Sequence, residues 1–264
     1  MLRTGVSTAS LYPELTEVAL RELAEGGVRT TEVFINAPSE ISPSSLRELC
    51  AIKETYGMEI VSLHPFSSGI EPFMLFSGYE RRYHDMLDYY RQFFDAMNTL
   101  GASIFVLHGD RRDSAFPDEA YFERYLGLFR LGEQCGVTVA QENVSRCRSA
   151  DPSFLQKMRE TLREECAFVV DLKQAVRSGC TAYDVLDAVG DKLCNLHVSD
   201  SAPGEDCLPP GKGTFDFARL VRFLHEKEYE GALLLELYRQ NYQDYASLLE
   251  SARYLQEMVN MLEH

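Results

Sequence analysis

The chain has 264 residues, 45% of them hydrophobic, and a formal charge of −15. That is enough apolar material for one sizeable core, while a field this negative repels phosphate backbones and anionic bilayers, so neither nucleic acid nor membrane is an expected partner. No stretch nears the roughly 18 to 20 apolar residues that span a bilayer, and the opening Met1-Leu2-Arg3-Thr4-Gly5 lacks a signal-peptide core, which predicts a cytoplasmic protein.

One unit recurs along the chain: an amphipathic helical stretch, a glycine, a short apolar run, then a polar residue. Strands are predicted at about residues 2 to 8, 30 to 36, 59 to 64, 103 to 108, 137 to 142, 166 to 171, 193 to 198 and 231 to 237. Runs such as Ile104-Phe105-Val106-Leu107, Phe168-Val169-Val170 and Leu233-Leu234-Leu235 are continuous, as suits strands covered on both faces. Ser42-Pro43 and Asp151-Pro152 read as helix caps followed by first turns. Helical spacing relates Tyr83, Leu87, Tyr90, Phe94 and Met97, then Phe122, Leu126 and Phe129. Gly26, Gly57, Gly101, Gly136, Gly190 and Gly231 are expected at helix ends with φ above zero. Eight such repeats predict a single (β/α)8 TIM barrel over residues 1–264, which leaves no sheet edge exposed, in preference to an open doubly wound sheet. No G-x-G-x-x-G motif and no P-loop supports nucleotide binding. The seven cysteines, odd in number and without a C-x-x-C pair, read mostly as reduced, buried, small hydrophobes.

Six consecutive predicted strands end in a titratable residue: His64, His108, Glu142, Asp171, His197 and Glu236. A parallel barrel puts all strand carboxyl ends on one rim, so these side chains meet although 26 to 44 residues separate neighbours in sequence. Each alone is more often a helix cap or a hydrogen-bonded wall residue. As a set, Glu142, Asp171 and Glu236 in one small cavity would repel one another and need a compensating cation. Three carboxylates with His197 match one divalent ion, Mn, Co, Mg or Zn.

At Glu142-Asn143, Asp171-Leu172-Lys173-Gln174, His197-Val198-Ser199-Asp200-Ser201, Gly211-Lys212-Gly213-Thr214-Phe215-Asp216-Phe217 and Glu236, the chain resembles the xylose isomerase-like TIM barrel superfamily over nearly its whole length. That superfamily holds sugar isomerases and epimerases, inosose dehydratases and endonuclease IV. In its ketose epimerases, the residues at the places of Glu142, Asp171, His197 and Glu236 bind one catalytic metal, and the two glutamates exchange protons with substrate. Two positions depart from the pattern: Gln174 stands where the epimerases have a histidine that helps to hold substrate, and Pro203 where an arginine grips it. Resemblance to endonuclease IV places a second ion at His64, His108 and Glu142. Its third zinc site is broken, with Gln174 at one ligand position and Cys207 near another, and His64 and His108 otherwise read as polar walls of the pocket.

The resemblance implies a metal-dependent sugar or sugar phosphate isomerase or epimerase. Glu142 and Glu236 would move a proton through a metal-stabilised enediolate, and His64, His108, Gln174 and Lys212 would bind substrate. An inosose-type dehydratase would use the same site; a non-catalytic polyol-binding barrel and an endonuclease IV-like phosphodiesterase are readings of other classes. The expected partners are a sugar or polyol and, as a homo-oligomer, further copies of the chain. Arg146, Arg148 and Lys173 are candidate anion contacts, with solvated surface charge the expected role of most. The long segment from Phe66 to Glu80, with Phe73, Phe76 and Tyr79, reads either as an aromatic lid or as packing on the rim.

Overall fold

The computed structural model describes residues 2–262, so Met1, Glu263 and His264 of the expected 1–264 domain lie outside the described residues. Among the described residues, eight parallel strands form a closed barrel: β1 (Arg3–Ser7), β2 (Thr30–Ile35), β3 (Glu59–Pro65), β4 (Ile104–Leu107), β5 (Thr138–Glu142), β6 (Ala167–Asp171), β7 (Leu193–Val198) and β10 (Ala232–Leu235). The last closes on the first, Arg3 opposite Ala232 and Val6 opposite Leu235. Around them run α1 (Thr16–Glu25), α2 (Pro43–Tyr56), α3 (Glu71–Met74), α4 (Glu80–Leu100), α5 (Asp118–Gln134), α6 (Pro152–Leu162), α7 (Leu172–Arg177), α8 (Ala182–Val189), α9 (Phe217–Glu226) and α10 (Tyr245–Leu262). Each predicted strand is present within two residues of its expected bounds, and no helix among the described residues is long and apolar enough to cross a membrane.

Both expected caps form: Ser42 Oγ accepts from Ser45 N at 3.4 Å and Asp151 Oδ1 from Ser153 N at 2.9 Å. The main core lies between barrel and helices, where Tyr90, Phe93 and Phe94 of α4 meet Phe105 of β4 with ring centroids 4.7, 6.3 and 5.3 Å apart. Burying each such ring contributes about 1.5–3 kcal/mol, which fixes α4 against the strand that carries His108 to the rim.

Two glycine readings need correction. Gly26 has φ −71°, and it is Gly27 that takes +91°; Gly231 has no positive φ, but a Cβ there would lie 2.1 Å from Tyr229 Oη. The cysteines are all free, but, as a correction, only Cys147, Cys166 and Cys207 are buried; Cys50, within α2, and Cys135, Cys180 and Cys194, at or beside element ends, are partly exposed. Not foreseen is an antiparallel hairpin of β8 (Asp200–Ala202) and β9 (Glu205–Leu208) in the loop after β7. Pro203-Gly204 makes its turn, with Gly204 at φ +86°, the pairing of residues that a type II turn favours.

The segment after β3 is largely packed on the barrel. Leu75 and Phe76 are buried, Phe76 stacks on Tyr121 at 4.1 Å, and only Phe73 and Tyr79 of the three expected lid aromatics face solvent.

Gly5 sits where β1 approaches β2 so closely that a Cβ would be 2.2 Å from Thr30 O, a backbone atom that cannot yield without opening the barrel. Gly5→Ala is therefore expected to lower unfolding free energy by about 3 kcal/mol or more in urea titrations; an unchanged midpoint would show that the barrel accommodates the methyl group.

Candidate active site

The barrel brings the four expected ligands together at its carboxyl-terminal rim. His197 Nδ1 lies 3.1 Å from Glu142 Oε1, 3.0 Å from Glu236 Oε2 and 3.9 Å from Asp171 Oδ2. Strand register explains the meeting: Asp171 of β6 is opposite His197 of β7, which is opposite Leu234 of β10, two residues before Glu236. Asp171 is also a helix cap, its Oδ1 accepting from Gln174 N at 3.0 Å. Asn143 ties β5 to β6 by donating to Asp171 O at 3.0 Å and accepting from Asp171 N at 2.6 Å. The Glu-Asn pair at residues 142 and 143 thus supplies one site carboxylate and the side chain that positions another.

A fourth carboxylate, absent from the sequence reading, completes the cluster. Glu32 lies within β2, is 0% exposed, and accepts from Ser7 Oγ at 3.1 Å and Ser62 Oγ at 2.7 Å. His197 Nε2 stands 3.0 Å from Glu32 Oε2. The only signal in sequence was a charged residue inside the otherwise uncharged run Thr30-Thr31-Glu32-Val33-Phe34-Ile35. A bulge shifts the β2–β3 register between Thr31 and Glu32, placing Ser62 opposite Glu32, and such irregularities commonly re-aim side chains beside active sites.

Two features suit a divalent ion. With its Nε2–H donated to Glu32, His197 presents Nδ1 to three carboxylates, the arrangement by which a buried acid orients a metal-binding imidazole. Glu142 Oε2 is buried without an aligned hydrogen bond, although His108 Nε2 stands 2.8 Å away. Two of the residue groups able to hold a metal, Glu142 with Asp171 and His197, and Glu32 with His197 and Glu236, share this imidazole. Burial works against charging His197, but the charges of Glu32 and Glu236 outweigh it and raise its pKa well above the usual histidine value. Burial likewise opposes ionising Glu142, yet His108, His197 and His64 together hold it well below the ordinary carboxylate range.

His64 and His108 face each other, with Nε2 atoms 2.7 Å apart, and with Glu142 they form a third group able to hold a metal. Arg146 bears on that reading. Its guanidinium donates to His108 Nδ1 at 2.8 Å, so a neutral His108 carries its proton on Nε2, and burial lowers the His108 pKa to about 4. In that tautomer His108 donates toward His64 and Glu142, as a polar wall does.

A cavity of about 300 Å3 opens above the cluster, lined by Glu142, Glu236, His64, His108, Gln174, Arg146, Asn36, Phe34, Tyr12 and Tyr238 among others. Asp171 and His197 lie behind it. A larger cavity, about 580 Å3, is lined by Leu193 and Gly231 at the strand starts and is remote from this chemistry, so volume does not mark the site. Gln174 accepts from Ser145 N at 3.0 Å, which fixes its amide in the wall. Lys212 is not brought in: it is exposed on a separate concavity with Tyr242 and Tyr254, on a loop that the buried Asp200 holds by accepting from Gly211 N at 3.0 Å and Gly213 N at 2.9 Å. Arg148 is paired with Asp118 at 2.5 Å. Lys173, read from sequence with the solvated charges, is 2% exposed; its Nζ pairs closely with Asp171 and lies 2.8 Å from Glu236 Oε1.

Residues 20–261 match the family model described as xylose isomerase-like TIM barrel. The chain belongs to that family. Fructoselysine 3-epimerase of Escherichia coli O157:H7 is 22% identical over 251 residues, covering 89% of this chain and 90% of that protein. Among solved structures, a D-tagatose 3-epimerase-like protein superposes with TM-score 0.81 at 18% identity, covering 99% of this chain and 98% of the other. The IOLI protein, whose crystal structure binds a zinc atom, gives TM-score 0.78 at 16% identity over 99% of both chains.

In this xylose isomerase-like barrel the segment after β3 is anchored through Glu71, which is 0% exposed. Its carboxylate accepts from Tyr90 Oη at 2.7 Å and from the backbone N–H groups of His108 at 3.0 Å and Gly109 at 2.6 Å. Burial pushes its pKa up to about 7 despite these donors. The folded chain then holds a proton that the unfolded chain releases above the ordinary value of 4.5, so stability falls as pH rises from about 4.5 to about 7. The fall amounts to about 3 kcal/mol. Urea unfolding at pH 5 and pH 7.5 is expected to show this loss in the parent and a correspondingly smaller one in Glu71→Gln; parallel profiles would mean that Glu71 is ionised throughout.

Proposed function

We propose that this chain is a divalent-metal-dependent carbohydrate isomerase or epimerase, with Glu142 and Glu236 exchanging protons with a small sugar or polyol. The observation that carries this reading is the division of the cluster: Glu142 and Glu236 reach the cavity, while Asp171 and His197 stand behind them. The names of the epimerase relatives and the zinc atom of the IOLI structure support it.

Glu142, Asp171, His197 and Glu236 would hold the ion, with Glu32 orienting His197. When bound, the ion supplies Lewis-acid stabilisation of charge developing on a substrate carbonyl oxygen. Glu142, ionised by its imidazole neighbours, is suited to take a proton from the carbon beside that carbonyl. Proton delivery from the side of Glu236 would give epimerisation at the same carbon or isomerisation at the next; Glu236, held ionised against burial by Lys173 and His197, would first have to take up that proton. Gln174, Asn36 and the His64–His108 pair offer donors and acceptors to sugar hydroxyls, and Phe34, stacked on His64 at 4.7 Å, gives the cavity an apolar side.

Incubation with a panel of ketoses and inososes in D2O, followed by NMR, is expected to show deuterium entering beside the carbonyl. EDTA-treated protein should lose the exchange and Mn2+, Co2+ or Zn2+ restore it, while Glu142→Gln should slow it by about 100-fold or more. Exchange that survives both EDTA and Glu142→Gln would sink the proposal. Because His197 carries an extra proton at neutral pH, an ion must displace it from Nδ1, and metal affinity should strengthen by up to about tenfold per pH unit between pH 6 and 8. Affinity that is flat across this range in calorimetric titrations would remove His197 from the ligand set.

A further inference from the structure

Lys173 lies in the first turn of α7, two residues after Asp171, and its side chain folds back under the rim instead of reaching solvent. Burying an ammonium group is costly unless charges of opposite sign meet it. Here two do. Nζ pairs closely with Asp171 Oδ2 and sits 2.8 Å from Glu236 Oε1, with the ring centroid of Tyr238 5.6 Å away.

These contacts divide the carboxylates atom by atom. Asp171 Oδ1 is committed to Gln174 N at 3.0 Å, so Oδ2 is the oxygen left for an ion. It is also the oxygen that lies 3.9 Å from His197 Nδ1 and the one that Lys173 holds. Glu236 is shared differently: Oε1 faces the ammonium at 2.8 Å, while Oε2 faces His197 Nδ1 at 3.0 Å. A divalent ion at this cluster would therefore meet Lys173 at Asp171 Oδ2, whereas Glu236 Oε2 faces only the fellow ligand His197.

We propose that Lys173 is a tethered cation that shares this centre's carboxylates with the divalent ion, competing for Asp171 Oδ2 and so weakening the ion's hold. The inference rests on the metal reading above. Lys173 keeps Asp171 and Glu236 together before the ion arrives and must leave Oδ2 when it binds, while Glu236 Oε1 remains its partner. Lys173 is thus a positioning residue, and its removal should tighten metal binding, whereas a side chain that merely braced the ligands would weaken binding when removed.

Calorimetric titration of Mn2+ into the metal-free full chain, its Lys173→Met variant and its Lys173→Arg variant tests this. Lys173→Met should bind Mn2+ at least about tenfold more tightly, since a unit positive charge is removed within a few ångströms of a divalent one. Its metal-free melting temperature should fall below that of the parent, and Mn2+ should raise it by more. Lys173→Arg, which keeps the charge, should stay near the parent affinity. A parent that binds Mn2+ with a Lys173→Met variant that binds it equally or more weakly overturns the inference and leaves the metal reading standing. No binding by either chain defeats the metal reading itself. If Lys173→Met does not fold, a crystal structure of the parent with Mn2+ decides: Nζ should have left Asp171 Oδ2, and an unmoved Nζ beside an ion held by Asp171 and His197 overturns the proposal.

Discussion

Four carboxylates, those of Glu32, Glu142, Asp171 and Glu236, are drawn around the imidazole of His197 in a site that water scarcely enters. Like charges at such distances repel, and burial disfavours each of them further. Much of the local structure can be read as the compensation this demands. His197 lies between Glu32 and the other three, Lys173 sits between Asp171 and Glu236, and His64 and His108 flank Glu142. Positive charge from His197 and Lys173 and N–H donors from the His64–His108 pair thus arrive from several strands and from α7, and the barrel is the frame that lets them reach one point.

The supports around the cluster serve folding and chemistry together. Asp171 begins α7 as its cap while offering an oxygen to the site, and Asn143 fixes the backbone on both sides of Asp171. Glu71 caps the backbone N–H groups of His108 and Gly109 and so holds the end of β4 in place. Arg146 sets which nitrogen of His108 carries the proton, and thereby whether His108 donates toward Glu142. Each of these is a hydrogen bond with a local structural purpose whose geometry also decides what the cavity presents.

Legibility varied with how local the cause was. Strands β4, β6 and β10 were visible because a strand covered on both faces must be apolar throughout. The rim residues were visible because they interrupt those runs at the point where a parallel strand reaches the active end. Glu32 was missed because its inward aim depends on a bulge in register with β3, a property of two strands and not of one. The β8–β9 hairpin does leave a signal in Pro203-Gly204, a turn pairing at the position where the family's arginine is lost.

By itself the sequence determined the barrel, its eight strands within two residues, and the meeting of Glu142, Asp171, His197 and Glu236, since period, glycine punctuation and strand endings are local properties that barrel closure converts into one rim. Tertiary structure alone decided the roles of the lysines and of Glu32. Lys173 and Lys212 look alike as charged residues in loops after strands, but one is trapped between two carboxylates and the other is exposed on a loop held by the hydrogen bonds of Asp200. The direction of a side chain follows from the partners that meet it, and those partners lie far away in sequence.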